Sequence, residues 1–156
     1  MILGFSVSRH LTHFSQSMTD KKFPVQVQIE AAVTDAERAA SWLGSEREGL
    51  LSLLARDGAV LLRGLPLSSA LDFDACVVAL KLENFTYAES LSNAVRVNKT
   101  ERVFTANEAP SEVEIFLHHE MAQTPTYPSK LIFFCEHSSE TGGSTPLCQS
   151  DRLLKQ

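Results

Sequence analysis

One short apolar run, Leu131 to Cys135, sets the strongest limit on how this chain can fold. It has the length of a strand and falls far short of the roughly 18 apolar residues that a membrane span needs. A strand that is apolar on both faces belongs inside a sandwich or in the wall of a barrel. We therefore predict a strand from Lys130 to Glu136 within such a core, and no membrane-spanning segment.

The size and charge of the chain predict one globular domain that acts on a small molecule or a protein. It has 156 residues, of which 44% are apolar and 21% are charged, and this is enough to enclose one hydrophobic core. The net charge is −5 and no dense cluster of Lys and Arg occurs. Both observations argue against nucleic acid or an anionic membrane as the partner.

The three cysteines, Cys76, Cys135 and Cys148, indicate a reducing compartment inside the cell. They are odd in number and far apart, so they fit neither a disulfide framework nor the closely spaced pairs of a zinc finger. We interpret them as buried free thiols and predict an intracellular protein, with the cytoplasm as the favoured compartment. A zinc site in which Cys135 and Cys148 join His118 and His137 is the alternative, although no Cys-x-x-Cys knuckle supports it.

Residues 1–22 form an N-terminal extension that we expect to be flexible, so the folded domain is predicted to span residues 23–156. From Met1 to Met18 the extension contains Arg9 as its one firm positive charge and has no acidic residue. A mitochondrial transit peptide usually carries more arginine. Mitochondrial targeting is therefore a weaker alternative to a disordered tail or to a second start site at Met18.

The pattern of the first half predicts strands and helices in alternation. Apolar and polar residues alternate from Phe23 to Ile29, which is typical of a half-buried strand. The spacing of Ser45-Glu46-Arg47-Glu48 is that of a capping box and predicts a helix from about Glu46 to Arg56, which Gly58 ends. A short buried strand is predicted from Ala59 to Leu62.

The remaining elements are a second helix, a loop and several strands. The helix is predicted to run from Ser69, its N-cap, to Leu82, with an inner face formed by Leu71, Ala75, Val78 and Leu82. Residues 85–100 are polar and weakly patterned, so we expect a surface loop, and loops of this length are often functional. Strands are expected at residues 102–106, 114–121, 130–136 and 145–147, the last after a glycine-containing turn at residues 138–144.

The segment from Phe116 to Met121 carries the pattern with the clearest chemistry. His118 and Glu120 are two positions apart in the expected strand, so both side chains point to the same face. An imidazole and a carboxylate side by side are two of the three donors of a 2-His-1-carboxylate site for non-haem Fe(II). The spacing alone is a weak signal, because a chain with five His and 19 acidic residues often contains such a pair by chance. An exposed polar turn is the plain alternative.

Five motifs in a fixed order make the sequence resemble the taurine dioxygenase (TauD/TfdA) family, and within it the clavaminate synthase-like branch, which has Glu rather than Asp in its metal motif. The resemblance covers about Leu50 to Leu154. The motifs that carry it are Gly58-Ala59-Val60-Leu61-Leu62-Arg63-Gly64 with Phe73, Val103-Phe104-Thr105-Ala106-Asn107-Glu108, His118-His119-Glu120-Met121, Pro128-Ser129-Lys130-Leu131 and Gly142-Gly143-Ser144-Thr145-Pro146.

The resemblance implies an α+β fold, a double-stranded β-helix (jelly roll) with flanking helices, and a dioxygenase that uses Fe(II) and 2-oxoglutarate. His118 and Glu120 match the family's first two iron ligands, and Thr145 matches the threonine that hydrogen-bonds the 2-oxoglutarate carboxylate. The family oxidises small acids or amino-acid-like substrates with dioxygen, and the iron and the cosubstrate carry that chemistry. Arg102 and Asn107 are candidates for the substrate entrance, with ordinary turn anchoring as the alternative.

The chain departs from the family pattern at the third iron ligand. The family's distal His, and the Arg that pairs with 2-oxoglutarate, lie far downstream of the metal motif, whereas the last His here is His137, in the loop after a strand. We therefore expect a jelly roll cut through its middle, from a fragment, a truncated isoform or an incomplete gene model, with poor iron affinity and little or no turnover. Two other interpretations stay open: an inactive jelly-roll binding or interaction protein, and a metal-storage or zinc-binding module of His118, Glu120 and His137.

Overall fold

The computed structural model describes residues 23–29, 31–85, 95–106, 108–110, 112–122, 124–125 and 127–155. The predictions for the N-terminal extension and for Asn107 lie outside these residues. In the part described, the elements are β1 (Val25–Gln28), α1 (Ala36–Ser45), α2 (Arg47–Asp57), β2 (Val60–Arg63), α3 (Ala70–Ala79) and α4 (Ser150–Leu153).

β1 and β2 lie side by side as a two-stranded parallel sheet. Val25 is opposite Val60, and Gln28 is opposite Arg63. Parallel neighbours cannot be joined by a tight hairpin, so the chain crosses from one strand to the other through α1 and α2. Both strands predicted for this half of the chain are confirmed, with ends that differ by at most two residues.

α1 and α2 follow each other almost without a break, and the sequence analysis found only the second. α1 begins after Asp35, whose side-chain oxygen accepts a hydrogen bond from the Arg38 N–H at 2.8 Å. The predicted capping box is wrong, because Ser45 still belongs to α1 and its hydroxyl donates to the Trp42 carbonyl at 2.8 Å. α2 ends as predicted at Gly58, whose φ of +80° is left-handed backbone that glycine adopts freely.

α3 has the predicted N-cap but buries a different face. The Ser69 hydroxyl accepts a hydrogen bond from the Asp72 N–H at 3.2 Å, and the Asp72 carboxylate accepts one from the Ser68 N–H at 2.9 Å. Leu71, predicted to face inward, is 72% exposed, whereas Cys76 is buried. The predicted face is wrong for Leu71, Ala75 and Val78, which are exposed because α3 packs its other side against α1. Leu82, beyond the end of α3 at Ala79, does pack against the core.

The hydrophobic core lies between the sheet and helices α1, α2 and α3. Leu43 of α1 and Leu62 of β2 are completely enclosed. The other buried members of this core are Val27, Ala39, Leu50, Leu53, Val60, Cys76 and Leu80. All of these fully buried side chains lie within residues 25–80, so this part of the chain supplies the centre of the core.

Residues 95–155 follow a mostly irregular path where the structure describes them. Residues 95–106 form a hairpin-like loop in which the Thr105 N–H donates to the Val97 carbonyl at 2.9 Å, and Asn98 and Phe104 form an isolated antiparallel bridge. Within the described residues the strands predicted at 114–121, 130–136 and 145–147 are not formed. A strand needs a hydrogen-bonded neighbour, and there the chain brings no other strand beside these segments. The described residues therefore do not confirm the predicted double-stranded β-helix.

A few side chains join this second half to the first. Ile132 packs against the core, and the ring of Phe134 stacks on that of Phe73 with 5.4 Å between centroids. Gln149 Nε2 donates to the Asp57 carbonyl at 2.8 Å, just before the end of α2. The segment predicted as a strand buried on both faces at residues 130–136 thus packs through Ile132 and Phe134, but Cys135 is exposed and the backbone is not in a sheet.

The structure also tests two predictions that came from composition. Cys76 is buried, and burial, together with the negative charge of Asp72, raises the pKa of its thiol to about 11. Cys135 and Cys148 are exposed, so the interpretation as buried thiols is wrong for these two. Among the described residues, no helix is long and apolar enough to cross a membrane.

Candidate functional site

The side chains of His118 and Glu120 converge, although the backbone that carries them is not a strand. His118 Nε2 lies 3.6 Å from Glu120 Oε2. The imidazole is 57% exposed and the carboxylate 21%, so the pair lies at the surface with its acidic member partly enclosed. The structure thus brings together the imidazole and the carboxylate, which the two-residue spacing had predicted to lie on one face of a strand.

The hydrogen bonding of the His118 ring decides which nitrogen is available to a ligand. Nδ1 lies 2.7 Å from the Phe116 carbonyl oxygen. A carbonyl oxygen only accepts, so Nδ1 carries the proton and donates. In the neutral ring the lone pair is then on Nε2, which is the nitrogen that faces Glu120. Metal-binding histidines are commonly oriented in this way, with the second nitrogen donating to a carbonyl or carboxylate.

A tight turn anchored by a buried methionine positions Glu120. The Ala122 N–H donates to the His119 carbonyl at 3.2 Å, which closes the turn around Glu120 and Met121. Met121 is 3% exposed and has a φ of +57°, in the left-handed region that a side chain rarely adopts. Burial of the Met121 side chain holds this backbone in place, and the carboxylate next to it is fixed as a result.

Arg96 is the site residue that the sequence analysis missed. Its Nη2 donates to Glu120 Oε1 at 2.9 Å, and its side chain is only 14% exposed. Its guanidinium carbon lies 5.5 Å from the centre of the Phe104 ring, a cation–π distance. A signal was present in the sequence, because Arg96 alternates with Val95 and Val97 as in an extended segment. That signal did not identify Glu120 as the partner 24 residues away.

The arrangement leaves an electron-rich gap between two donors. Glu120 Oε1 faces Arg96, whereas Oε2 faces the Nε2 of His118. With the proton on Nδ1, a lone pair and a carboxylate oxygen face each other, and they repel unless a cation or a proton lies between them. Two adjacent ligands of a divalent transition metal, each about 2.1 Å from it, lie roughly 3 Å apart. The observed 3.6 Å is within reach of that spacing after a small side-chain movement.

The donor set fits Fe(II) as two ligands of three. A neutral imidazole and a carboxylate are the donors that such an iron site requires. In the described part of the chain, no group of three or more His, Cys, Asp or Glu side chains is placed to hold a metal ion. His137, Cys135 and Cys148, which the alternative zinc sites needed, are described and exposed but do not complete such a group.

The other predicted site residues that the structure describes are Thr145 and Arg102. Thr145 is exposed and follows Gly142 and Gly143, whose φ angles of +69° and +67° confirm the predicted glycine turn. Arg102 Nη1 lies 3.7 Å from Asp74 Oδ2, an ion pair that ties the loop to α3. Its predicted role at the substrate entrance, like the cofactor role of Thr145, stays a prediction.

Comparison with known proteins identifies the family to which this chain belongs. The Taurine catabolism dioxygenase TauD, TfdA family matches residues 20–156, and the chain belongs to this family. Its members are generally Fe(II)- and 2-oxoglutarate-dependent dioxygenases, and its fold is a jelly roll. The resemblance predicted from the ordered motifs is therefore confirmed.

Two curated relatives place the chain more narrowly. A clavaminate synthase-like protein of Arabidopsis thaliana is 44% identical over 106 residues, which are 68% of this chain and 32% of that protein. The dapdiamide synthesis protein DdaC of Enterobacter agglomerans is 30% identical over 102 residues, which are 65% of this chain and 30% of that protein. The matched stretch thus spans about a third of the length of either relative. No solved structure matches the chain significantly.

Proposed function

We propose that this chain provides iron-binding and cosubstrate-binding residues of an Fe(II)/2-oxoglutarate-dependent dioxygenase. His118 and Glu120 hold the iron, and Thr145 hydrogen-bonds the 2-oxoglutarate carboxylate. Arg102 and Asn107 line the entrance for a small acid or amino-acid-like substrate, which is hydroxylated or otherwise oxidised. When bound, the iron and 2-oxoglutarate supply the oxidising chemistry with dioxygen as the oxidant.

One observation carries the proposal, namely the gap between Nε2 of His118 and Oε2 of Glu120. The hydrogen bond to the Phe116 carbonyl turns Nε2 of the ring toward the carboxylate, so that in the neutral ring a lone pair faces Oε2 at a distance of 3.6 Å. This arrangement is favourable when a cation occupies the gap and repulsive when nothing does. Family membership makes iron the cation to test first.

The charge of the chain and its relatives support a small-molecule substrate. The net charge of −5 is unsuited to nucleic acid or an anionic membrane surface. Both curated relatives are named for small-molecule metabolism: one is clavaminate synthase-like and the other takes part in dapdiamide synthesis.

Anaerobic titration of the purified chain with Fe(II) and 2-oxoglutarate tests the proposal. We expect the metal-to-ligand charge-transfer absorption band at high iron concentration, since two protein donors bind weakly. The band should be lost in His118→Ala and in Glu120→Ala. It should remain in His119→Ala, the matched control, because the imidazole of His119 contacts Ser150 instead, at 2.8 Å. An equal band in wild type and His118→Ala would reject the assignment, and so would no band in any of the proteins.

A second candidate function is an inactive binding or interaction protein of the same family. It is favoured by the ion pair between Arg96 and Glu120, because a carboxylate that is already neutralised needs no metal. A proton on Nε2 of His118 would then fill the gap. Coupled measurement of dioxygen consumption and succinate formation separates the two candidates, since only the enzyme produces succinate in proportion to dioxygen.

A further inference from the structure

We infer that Arg96 is a positioning residue for the iron site, which it serves by holding the Glu120 carboxylate in one orientation. The Arg96 guanidinium contacts Oε1 of Glu120, and Oε2 is the oxygen that faces His118. The inference rests on the proposed function, because it concerns the site that His118 and Glu120 are proposed to form.

The contact between Arg96 and Glu120 is of the kind that fixes a side chain. Nη2 and Oε1 are 2.9 Å apart, and the two side chains are 14% and 21% exposed. A charge-assisted hydrogen bond at this distance is roughly twice as strong as a neutral one, and the partial burial reduces its screening by water. Exposed ion pairs, by contrast, contribute little. The Glu120 carboxylate is therefore restrained from both sides, by the turn at Met121 and by Arg96.

Arg96 is itself held in place by the hairpin-like loop of residues 95–106. The bridge between Asn98 and Phe104 sets the register, and it makes Arg96 and Phe104 diagonal neighbours across the two segments. In this loop Val95 and Val97 are 60% and 47% exposed while the arginine between them points inward. Charged side chains are usually exposed and valines usually buried, and here the order is reversed. This reversal indicates that the contact between Arg96 and Glu120 determines the register of the loop.

The chemical consequence of the contact concerns how the carboxylate binds a metal. A free carboxylate can chelate a cation through both oxygens, which occupies one more coordination position. With Oε1 engaged by Arg96, Oε2 is the oxygen that Glu120 turns toward His118. A metal held by His118 and Glu120 then keeps positions open for the cosubstrate and dioxygen, as a 2-His-1-carboxylate site requires.

The positive charge of Arg96 also repels a bound cation, and this makes the inference testable by the sign of the effect. If Arg96 acts by positioning, its removal weakens metal binding. If it acts only through its charge, removal strengthens metal binding, because the carboxylate is then no longer neutralised. Outer-shell partners of metal ligands typically contribute 10–100-fold to affinity, so we expect positioning to dominate, at about tenfold.

The test uses Mn(II) as the probe and paramagnetic broadening of the His118 imidazole proton signals as the readout, which needs no turnover. We expect Arg96→Gln to raise the Kd for Mn(II) about tenfold. Arg96→Lys, which retains the charge but not the planar fork, should raise it by less. Arg38→Gln is the matched control, since Arg38 is 65% exposed on α1, and it should leave the Kd unchanged. Arg96→Gln with an unchanged or lower Kd overturns the inference.

Failure of the inference can be told apart from failure of the proposed function. If Mn(II) does not broaden the His118 signals in the wild type, the proposed iron site and the inference both fail. If the wild type binds Mn(II) and Arg96→Gln binds it equally well, only the inference fails. Should Arg96→Gln not fold, Arg96→Lys decides: a Kd equal to that of the wild type rejects a role for the planar fork.

Discussion

Among the described residues, those in 25–80 enclose most of their apolar side chains, whereas those in 112–127 leave most of theirs in water. Leu43 and Leu62 in the first region are completely buried, while Phe116 and Leu117 in the second are 72% and 65% exposed. The first region pairs two strands through a crossover of two helices, so both strands and the helices that join them lie within a short stretch of chain. The strand predicted for the second region, at residues 114–121, needs a neighbouring strand that the described residues do not place beside it. The comparison shows that the segment with the metal motif depends on its surroundings more than the core does.

The largest expected difference between the two regions is in stability, and replacing one leucine in each region tests it. Leu62→Ala should lower the free energy of unfolding by about 3 kcal/mol, because it removes a fully buried side chain and leaves a cavity. Leu117→Ala should change it by less than about 0.5 kcal/mol, since that side chain is mostly in water. Urea unfolding of both variants measures the difference. Equal losses would mean that residues 112–127 are packed as tightly as the core.

Thiol labelling compares the two regions without any mutation. The pKa of Cys76 is raised from 9.0 to about 11, chiefly by burial, so the reactive thiolate is about a hundredfold scarcer at pH 8. Cys135 and Cys148 are exposed. We expect two thiols to react quickly with a chromogenic disulfide reagent and the third only in denaturant. Rapid reaction of all three would show that α3 does not shield Cys76.

Two substitutions at Met121 sharpen the comparison, because this residue is buried although it lies in the exposed region. Met121→Ala should lower the free energy of unfolding by about 2 kcal/mol through lost burial. Met121→Gly loses the same contacts but relieves the left-handed backbone at φ +57°, which is worth about 1 kcal/mol. Glycine is therefore expected to be the more stable of the two, the reverse of the order in a helix or strand. Thermal unfolding of both variants checks the order, and the usual order would show that the turn is not held as described.

The smallest expected effect distinguishes Ser69 from Ser45, both of which the sequence predicted to be N-cap residues. Ser69→Ala should lower the free energy of unfolding by about 1 kcal/mol, since the Ser69 hydroxyl caps α3. Ser45→Ala should change it by a few tenths of a kcal/mol at most, because Ser45 lies in the last turn of α1 and caps nothing. Denaturant unfolding of the two variants is the measurement. A larger effect at Ser45 would restore the capping box that the structure rejects.

Local signals in the sequence predicted the first region well. The cap at Ser69 and the stop at Gly58 depend on residues within one turn, and both are confirmed. The inner face of α3 could not be predicted, because it depends on packing against α1. The start of α1 did have a signal in Asp35, a favoured N-cap residue followed by Glu37 in the first turn.

The residues of the candidate site that lie close together in the sequence were predictable, whereas the distant one was not. His118 and Glu120 are two residues apart, so their proximity needs little more than a common backbone direction. Arg96 joins them from a separate loop, 24 residues from Glu120, and no periodicity links two such positions. A partner of this kind becomes visible only once the chain is folded.

The hydrogen bond from the His118 ring to the Phe116 carbonyl lowers the entropy cost of binding a cation at this ring. A ring that is already locked has lost its rotational entropy during folding, so a cation that arrives later does not have to order it. Replacing Phe116 should leave this preorganisation intact, because the bond uses the main chain. The orientation of the imidazole therefore depends on the path of the backbone at residues 116–118, and side-chain substitution at 116 should leave it unchanged.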